Sequence, residues 1–362
     1  MFIDFDLNDP RFDLRYTEPS DEKYLAEWLK DPEVLKWFPM SEGKELENAL
    51  QVWMGFSRHR CCLTAIWDNR PVGMGILLLM PYRKVAHHCL SKLVVDPKLR
   101  NKGIGGALIK NLKHLAKEFF RIEWIQMEIF AGNSVISLFK KHNFYEMFRQ
   151  EDFAKIGDQY FARIFMECDL RLVKRGWAEV KGYDIHWESQ TKKASPSQRS
   201  KEISMRPVEK GDANSLTAWL NDEAILKWFP MCDRREIEDS VRIWMSYSLI
   251  GAGLAAEWDG KVCGFSNLYI QGYKKLAHQC LFSIIVGKEW RGRGIGAQLL
   301  DSLMKVAKEK VKIELLHLEV YEGNPAIHLY QRSGFKIYGI DRHFIKEADG
   351  NYRAKIMMQQ KL

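Results

Sequence analysis

The chain has 362 residues, 46% hydrophobic and 28% charged, with 55 basic against 47 acidic side chains for a formal charge of +8. That composition excludes a disordered or low-complexity chain and leaves length for two domains with separate cores. The positive excess is spread without blocks of like charge, so it favours anionic ligands only mildly. With no zinc-finger spacing or RNA-stacking motif present, it gives no support to nucleic-acid binding.

Seven cysteines, an odd number with only Cys61 and Cys62 adjacent and no C-x-x-C pair, point to free thiols in a reducing compartment and offer no metal-ligand spacing. Cytoplasm is the expected location. The opening Met1-Phe2-Ile3-Asp4-Phe5-Asp6 is acidic and lacks the basic and long apolar regions of a secretory leader. The apolar run 77–80 is far too short to cross a bilayer, so no membrane partner is expected.

The sequence repeats itself without a gap over most of its length. Trp37 recurs as Trp228, 191 residues on, and the same offset relates Arg15 to Arg206, Trp28 to Trp219, Trp53 to Trp244, Trp67 to Trp258, His87 to His278, Asn133 to Asn324 and Phe153 to Phe344. A period of that length is a domain, so each copy should own a core. The expected division is 1–187, a polar linker over 188–201, and 202–362.

Each copy opens with a short strand near Arg15 or Arg206 and a helix carrying Leu25, Trp28 and Leu29, or Leu216, Trp219 and Leu220, at helical spacing. The repeated Trp37-Phe38-Pro39-Met40 and Trp228-Phe229-Pro230-Met231 follow, able either to line a ligand slot or to plug the core. A second helix holds Trp53-Met54 or Trp244-Met245. Strands over 63–67 and 72–79, with their counterparts, are broken by Asp68-Asn69-Arg70-Pro71 and Asp259-Gly260-Lys261, polar turn sequences that predict hairpins. After a further strand come a glycine-bearing turn, an amphipathic helix with Leu108, Ile109, Leu112, Leu115 and Ala116 (Leu299, Leu300, Leu303, Val306 and Ala307 in the second copy), a strand over 124–130 or 315–321, and a closing helix. An extra strand over 177–187, pairing with 2–7, is expected before the linker.

The glycine turns read Arg100-Asn101-Lys102-Gly103-Ile104-Gly105 and Arg291-Gly292-Arg293-Gly294-Ile295-Gly296. A strand, such a turn and a helix leave the first helical N–H groups unpaired beside the positive end of the helix dipole, which makes a phosphate cradle. Glycine keeps Cβ atoms out of the phosphate's space, and arginine adds charge. The second turn also fits a dinucleotide fingerprint, Gly292-x-Gly294-x-x-Ala297 with Glu319 downstream, but Asn101 replaces the first glycine in the other copy and neither motif follows the opening strand of its repeat.

Both turns match Arg/Gln-x-x-Gly-x-Gly/Ala, and on these residues the sequence resembles the GNAT superfamily of acyl-CoA-dependent N-acetyltransferases. The resemblance extends to Asn324-Pro325-Ala326-Ile327-His328-Leu329-Tyr330-Gln331-Arg332-Ser333-Gly334-Phe335, a match to the family's later motif, whereas the first copy departs with Phe139 for the tyrosine and Asn143 for the glycine. The resemblance implies an α/β fold of two tandem domains, each a mostly antiparallel, splayed sheet flanked by helices, and acetyl-CoA as cofactor. It further implies cofactor contacts from the two turns, from Asn133 and Asn324, and from Leu93, Val95, Ile284 and Val286 on the preceding strands, whose backbone can pair with the pantetheine amides.

The resemblance makes Tyr330 the candidate acid for the departing thiolate, with a packed core aromatic as the alternative role. Some members place a glutamate base eleven residues before the loop, where this chain has Cys89 or Cys280 and no carboxylate. Two residues earlier stand His87 and His278. His278 is the candidate base, with a hydrogen-bonding role at a strand start as the alternative. Cys280 as an acyl-carrying nucleophile competes with a plain buried thiol. The expected function is acetyl transfer to an amine of a small molecule, peptide or protein, mainly in the second domain, with a non-catalytic acyl-CoA sensor or scaffold as the alternative. No motif specifies the acceptor, the acyl length or the oligomeric state.

Overall fold

The structure, a computed structural model, describes residues 7–171 and 203–362. The linker, and all of the expected 177–187 with 2–7 pairing except Leu7, fall outside them. The first domain runs β1 (Phe12–Tyr16), α1 (Glu22–Lys30), α2 (Pro32–Leu35), α3 (Lys44–Ser57), β2 (Cys62–Trp67), β3 (Arg70–Leu79), β4 (His88–Val95), α4 (Ile104–Glu118), β5 (Trp124–Phe130), α5 (Val135–Lys141), β6 (Tyr145–Ile156) and β7 (Gln159–Asp169). The second repeats it: β8 (Ile203–Pro207), α6 (Ala213–Leu220), α7 (Glu223–Leu226), α8 (Arg234–Tyr247), β9 (Gly253–Trp258), β10 (Lys261–Ile270), β11 (Gln279–Val286), α9 (Ile295–Lys305), β12 (Leu315–Tyr321), α10 (Ala326–Arg332), β13 (Lys336–Lys346) and β14 (Tyr352–Lys361). No helix among the described residues is long and apolar enough to cross a membrane.

Each domain forms one seven-stranded sheet, ordered β1-β2-β3-β4-β5-β7-β6 and, in mirror listing, β13-β14-β12-β11-β10-β9-β8. Every pairing is antiparallel except β4 with β5 and β11 with β12. The expected hairpin turns are two residues long, with Asp68 and Asn69 at φ of 48° and 60° and Asp259 and Gly260 at 48° and 72°. Those left-handed pairs match the twist of antiparallel strands, and Asn, Asp and Gly tolerate them best.

Alternate residues of β2 and β3 face opposite cores. Leu63, Ala65 and Leu77 join α4 and α5 through Leu108, Leu112 and Phe139, while Cys62, Met74 and Ile76 join Trp28, Leu29, Leu50 and Trp53 of α1 and α3. The helix α4 lies close on the sheet: a Cβ added at Gly75 would stand 2.5 Å from Leu112 Cδ1.

The strands β6, β7, β13 and β14 were not expected from the sequence. Their burial does not alternate cleanly, because β6 and β13 are edge strands that pack on each other rather than on helices. Phe148 touches its own counterpart Gly339, whose added Cβ would lie 2.5 Å from Phe148 Cδ2, which places an approximate two-fold axis between them. Both edge strands are bulged, β6 between Gln150 and Ala154 and β13 between Asp341 and Ile345. Each bulge turns carbonyl groups toward the other domain, where they meet the start of β4 or β11. His278 Nε2 donates to Asp152 O at 2.8 Å, Gln279 Nε2 donates to Phe153 O, and His88 Nε2 donates to Phe344 O at 3.2 Å. Outside these bonds, Glu314 binds Lys155 and Tyr160, and Glu123 binds Lys346 and Tyr352.

The loops between β3 and β4, and between β10 and β11, also cross over. Arg83 N donates to Glu236 Oε1 at 2.9 Å, and Lys274 N donates to Glu45 Oε1 at 2.8 Å. Lys275 Nζ donates to Leu35 O and Phe38 O, each at 2.9 Å.

Candidate cofactor and acceptor site

The strands β4 and β5 pair only from His88 to Leu90 against Trp124 to Gln126, and β11 and β12 only from Gln279 to Leu281 against Leu315 to His317. Beyond those residues the strands part, so backbone groups of 91–95 and 282–286 on that edge have no ladder partner and can pair with amides of a ligand. In the first domain the gap opens into a cavity of about 440 Å³. Of the expected cofactor residues, Leu93, Val95, Arg100, Asn101, Gly103, Ile104, Gly105 and Asn133 line it, while Lys102 is exposed and stands outside the wall.

The turn geometry is alike in the two copies. Asn101 takes φ 63° where Gly292 takes 78°, and Gly103 and Gly294 take 85° and 82° as the N-caps of α4 and α9. Asparagine accepts this left-handed conformation readily, so Asn101 preserves the turn that the second copy builds with glycine. An added Cβ at Gly292 or Gly294 meets nothing within 4 Å, so the space before the helix is open. Ile104 and Ile295 bury their side chains in the core, so they would offer only backbone N–H to a phosphate. Arg291 Nε donates to Val286 O at 3.2 Å, and Arg293 stacks 5.2 Å from the Trp290 ring centroid. Asn133 Oδ1 accepts from Val135 N at 3.1 Å and Asn324 Oδ1 from Ala326 N at 3.0 Å, so both asparagines close the turn that leads into the following helix.

Tyr330 sits on α10 where Phe139, a wall residue of the first cavity, sits on α5. Its ring packs 6.0 Å from Phe282 and 6.2 Å from Phe335, and burial pushes its pKa up to about 12. It therefore holds its proton at neutral pH. Phe139 keeps the packing, 5.1 Å from Phe144, without the hydroxyl.

His278 is not at the mouth of the gap. It precedes the paired stretch of β11, is 6% exposed, and commits Nε2 to the Asp152 carbonyl of the other domain. A base must reach the incoming amine, and this ring reaches the domain interface instead, which corrects the expectation from sequence and favours its alternative. Cys280 is fully buried with its pKa pushed up to about 12 by burial, so it is a packed thiol and no nucleophile.

No acceptor-side role was expected for the strand glutamates of the two domains. Glu128 on β5 lines the first cavity beside Lys92 and Arg163, and Arg163 Nη1 donates to it at 2.9 Å while the guanidinium lies 3.8 Å from the Phe153 ring centroid. In the second domain Glu319 accepts from Lys355 Nζ at 3.0 Å and is open to solvent. The available signal was the recurrence of a strand glutamate five residues before each asparagine. Trp37, Phe38 and Pro39 line the cavity as well, and Leu276 and Tyr273 of the other domain back Trp37 and Phe153.

A splayed sheet with a glycine-capped helix at the mouth of the splay defines a class of fold that holds a long, phosphate-bearing cofactor between two strands. The chain belongs to the acetyltransferase (GNAT) family, whose model matches residues 21–144 and again 213–335. It is 38% identical over 112 residues to an N-alpha-acetyltransferase of Sulfurisphaera tokodaii, a match covering 28% of this chain and 66% of that protein. It is 27% identical over 108 residues to the L-amino acid N-acetyltransferase AaaT of Escherichia coli K12, covering 28% and 67%. The chain thus spans about two thirds of the length of these relatives. Among solved structures, an acetyltransferase of the GNAT family from Streptococcus pneumoniae is 25% identical with a TM-score of 0.38, covering 44% of this chain and 100% of that one.

Proposed function

We propose that the chain is an acetyl-CoA-dependent N-acetyltransferase whose second domain transfers acetyl to an amine, while the first binds the same cofactor. The residues present fit acetyl-CoA: left-handed Asn101 and Gly103 precede α4 and left-handed Gly292 and Gly294 face open space before α9, while a Cβ at Gly103 would meet Leu7 at 2.9 Å; arginines flank both turns, and unpaired strand edges lie beyond. When bound, it supplies the acyl group and a thiolate leaving group. Glu319 would receive the proton of the incoming ammonium, and Tyr330 would give its own to the leaving sulfur. The observation that carries this assignment is the single hydroxyl that distinguishes Tyr330 from Phe139 in otherwise equivalent packing. The relatives' names, an N-alpha-acetyltransferase and an L-amino acid N-acetyltransferase, support an α-amino acceptor, free or at a peptide terminus. A screen of amino acids and peptides with detection of free thiol tests it. Tight cofactor binding with no acceptor-dependent thiol release would favour the sensor instead.

A further inference from the structure

We propose that the first domain acetylates its own Lys92. The proposal rests on acetyl-CoA occupying the first cradle. Lys92 lies on β4 immediately before Leu93, in the stretch where β4 and β5 have parted, and its side chain lines the cavity on the face shared with Glu128, Arg163 and Phe130. No hydrogen bond or ion pair among the described residues holds its amine: Glu128 is taken by Arg163, whose Nη2 donates to Gln150 Oε1 at 2.5 Å. An ammonium left without a partner in such a site is costly, so the neutral amine is favoured. Burial draws the Lys92 pKa down from its usual range, Glu128 opposes this and Arg163 reinforces it. The amine is thus an unpaired nucleophile on the wall of the cleft that the thioester would enter.

In the second domain the equivalent position is Ser283, so the first domain alone carries this amine. In the transfer the Lys92 Nζ–carbon bond forms and the carbon–sulfur bond breaks. The amine's proton passes to Glu128 or water, and the CoA thiolate takes one from solvent because Phe139 offers none. No further reactant is needed. The product, a neutral amide inside the cavity, would fill the acceptor side and leave the first domain without room for an external amine.

The full chain carrying Gly294→Val, with the second cradle disabled, is mixed with acetyl-CoA. Calorimetry reads binding and peptide mass spectrometry reads acetylation of each lysine against time. The expected result is one acetyl at Lys92, gained at least about tenfold faster than at any exposed lysine because the amine is already held beside the thioester. The rate should be independent of protein concentration, suppressed by excess CoA, and absent in Lys92→Arg. As a readout without the cofactor, competitive labelling with acetic anhydride against pH should show Lys92 reacting at lower pH than exposed lysines. Binding of acetyl-CoA with Lys92 unmodified overturns the proposal and leaves the cradle intact. Labelling no faster than at exposed lysines, or insensitive to CoA, overturns it equally. Absence of binding overturns both it and the cofactor assignment for the first domain.

Discussion

His87 Nε2 stands 2.6 Å from the backbone oxygen of His343, and 191 residues on, His278 makes the same bond to Asp152 at 2.8 Å. Since a carbonyl can only accept, Nε2 carries the proton in both rings, and both Nδ1 atoms lie buried without a hydrogen-bond partner. The two histidines are therefore a pair of clamps that hold each domain to the bulge of the other. Replacing His278 with Phe should keep the ring and strip the donor, leaving a buried carbonyl unpaired. Denaturant unfolding should show a loss of about 1–3 kcal/mol, with CoA affinity little changed. A large fall in turnover at unchanged stability would restore the histidine as a base.

Tyr330→Phe tests the acid. The first domain already carries phenylalanine there in sound packing, so fold and CoA affinity should hold. Initial rates with any accepted amine should fall by about 10²–10⁴-fold, the usual scale for general acid catalysis. An unchanged rate would move the chemistry to the first domain.

The two cradles should be separable. Calorimetric titration with CoA should approach two sites per chain in the native protein. Gly294→Val places a branched side chain at φ 82° and in the open space before α9. It should remove one site and cost about 1–2 kcal/mol of stability, the strain of a left-handed non-glycine residue. Loss of both sites would instead indicate that the domains bind cooperatively through their shared interface.

The interface should have its own pH dependence. Glu167 is buried, its pKa pushed up to about 7 by burial first and by the neighbouring Asp341 of the other domain second. Gln126 Nε2 bridges the two, 3.1 Å from Glu167 and 2.8 Å from Asp341, Tyr145 donates to Glu167, and Asp169 and His343 lie nearby. The folded pKa lies above the unfolded one, so the folded state holds more protons between them. Stability from this group is then present below about pH 4.5 and declines as pH rises toward about 7. The second domain has Gln359 at this place. Glu167→Gln should flatten thermal stability across that window and raise it at pH 8. A curve that rises with pH in the native protein would contradict the assignment.

The sequence by itself determined the duplication, the two cradles and the cores of each domain. Those features are written in residues close along the chain: a turn that needs left-handed φ shows as Gly294 or Asn101, and a buried helix face shows as Leu108, Leu112 and Leu115 at helical spacing. Even the asymmetry between Tyr330 and Phe139 was legible, because a repeat aligns the two positions. Only the tertiary structure decided where His278, Cys280 and Glu128 lie and what they bond to. Two edge strands with no clear alternation bring Asp152 to His278, and sheet order brings Arg163 on β7 beside Glu128 on β5. A side chain's chemistry depends on its burial and on the partners within a few ångströms. Those partners lie dozens to hundreds of residues away, beyond anything local periodicity records.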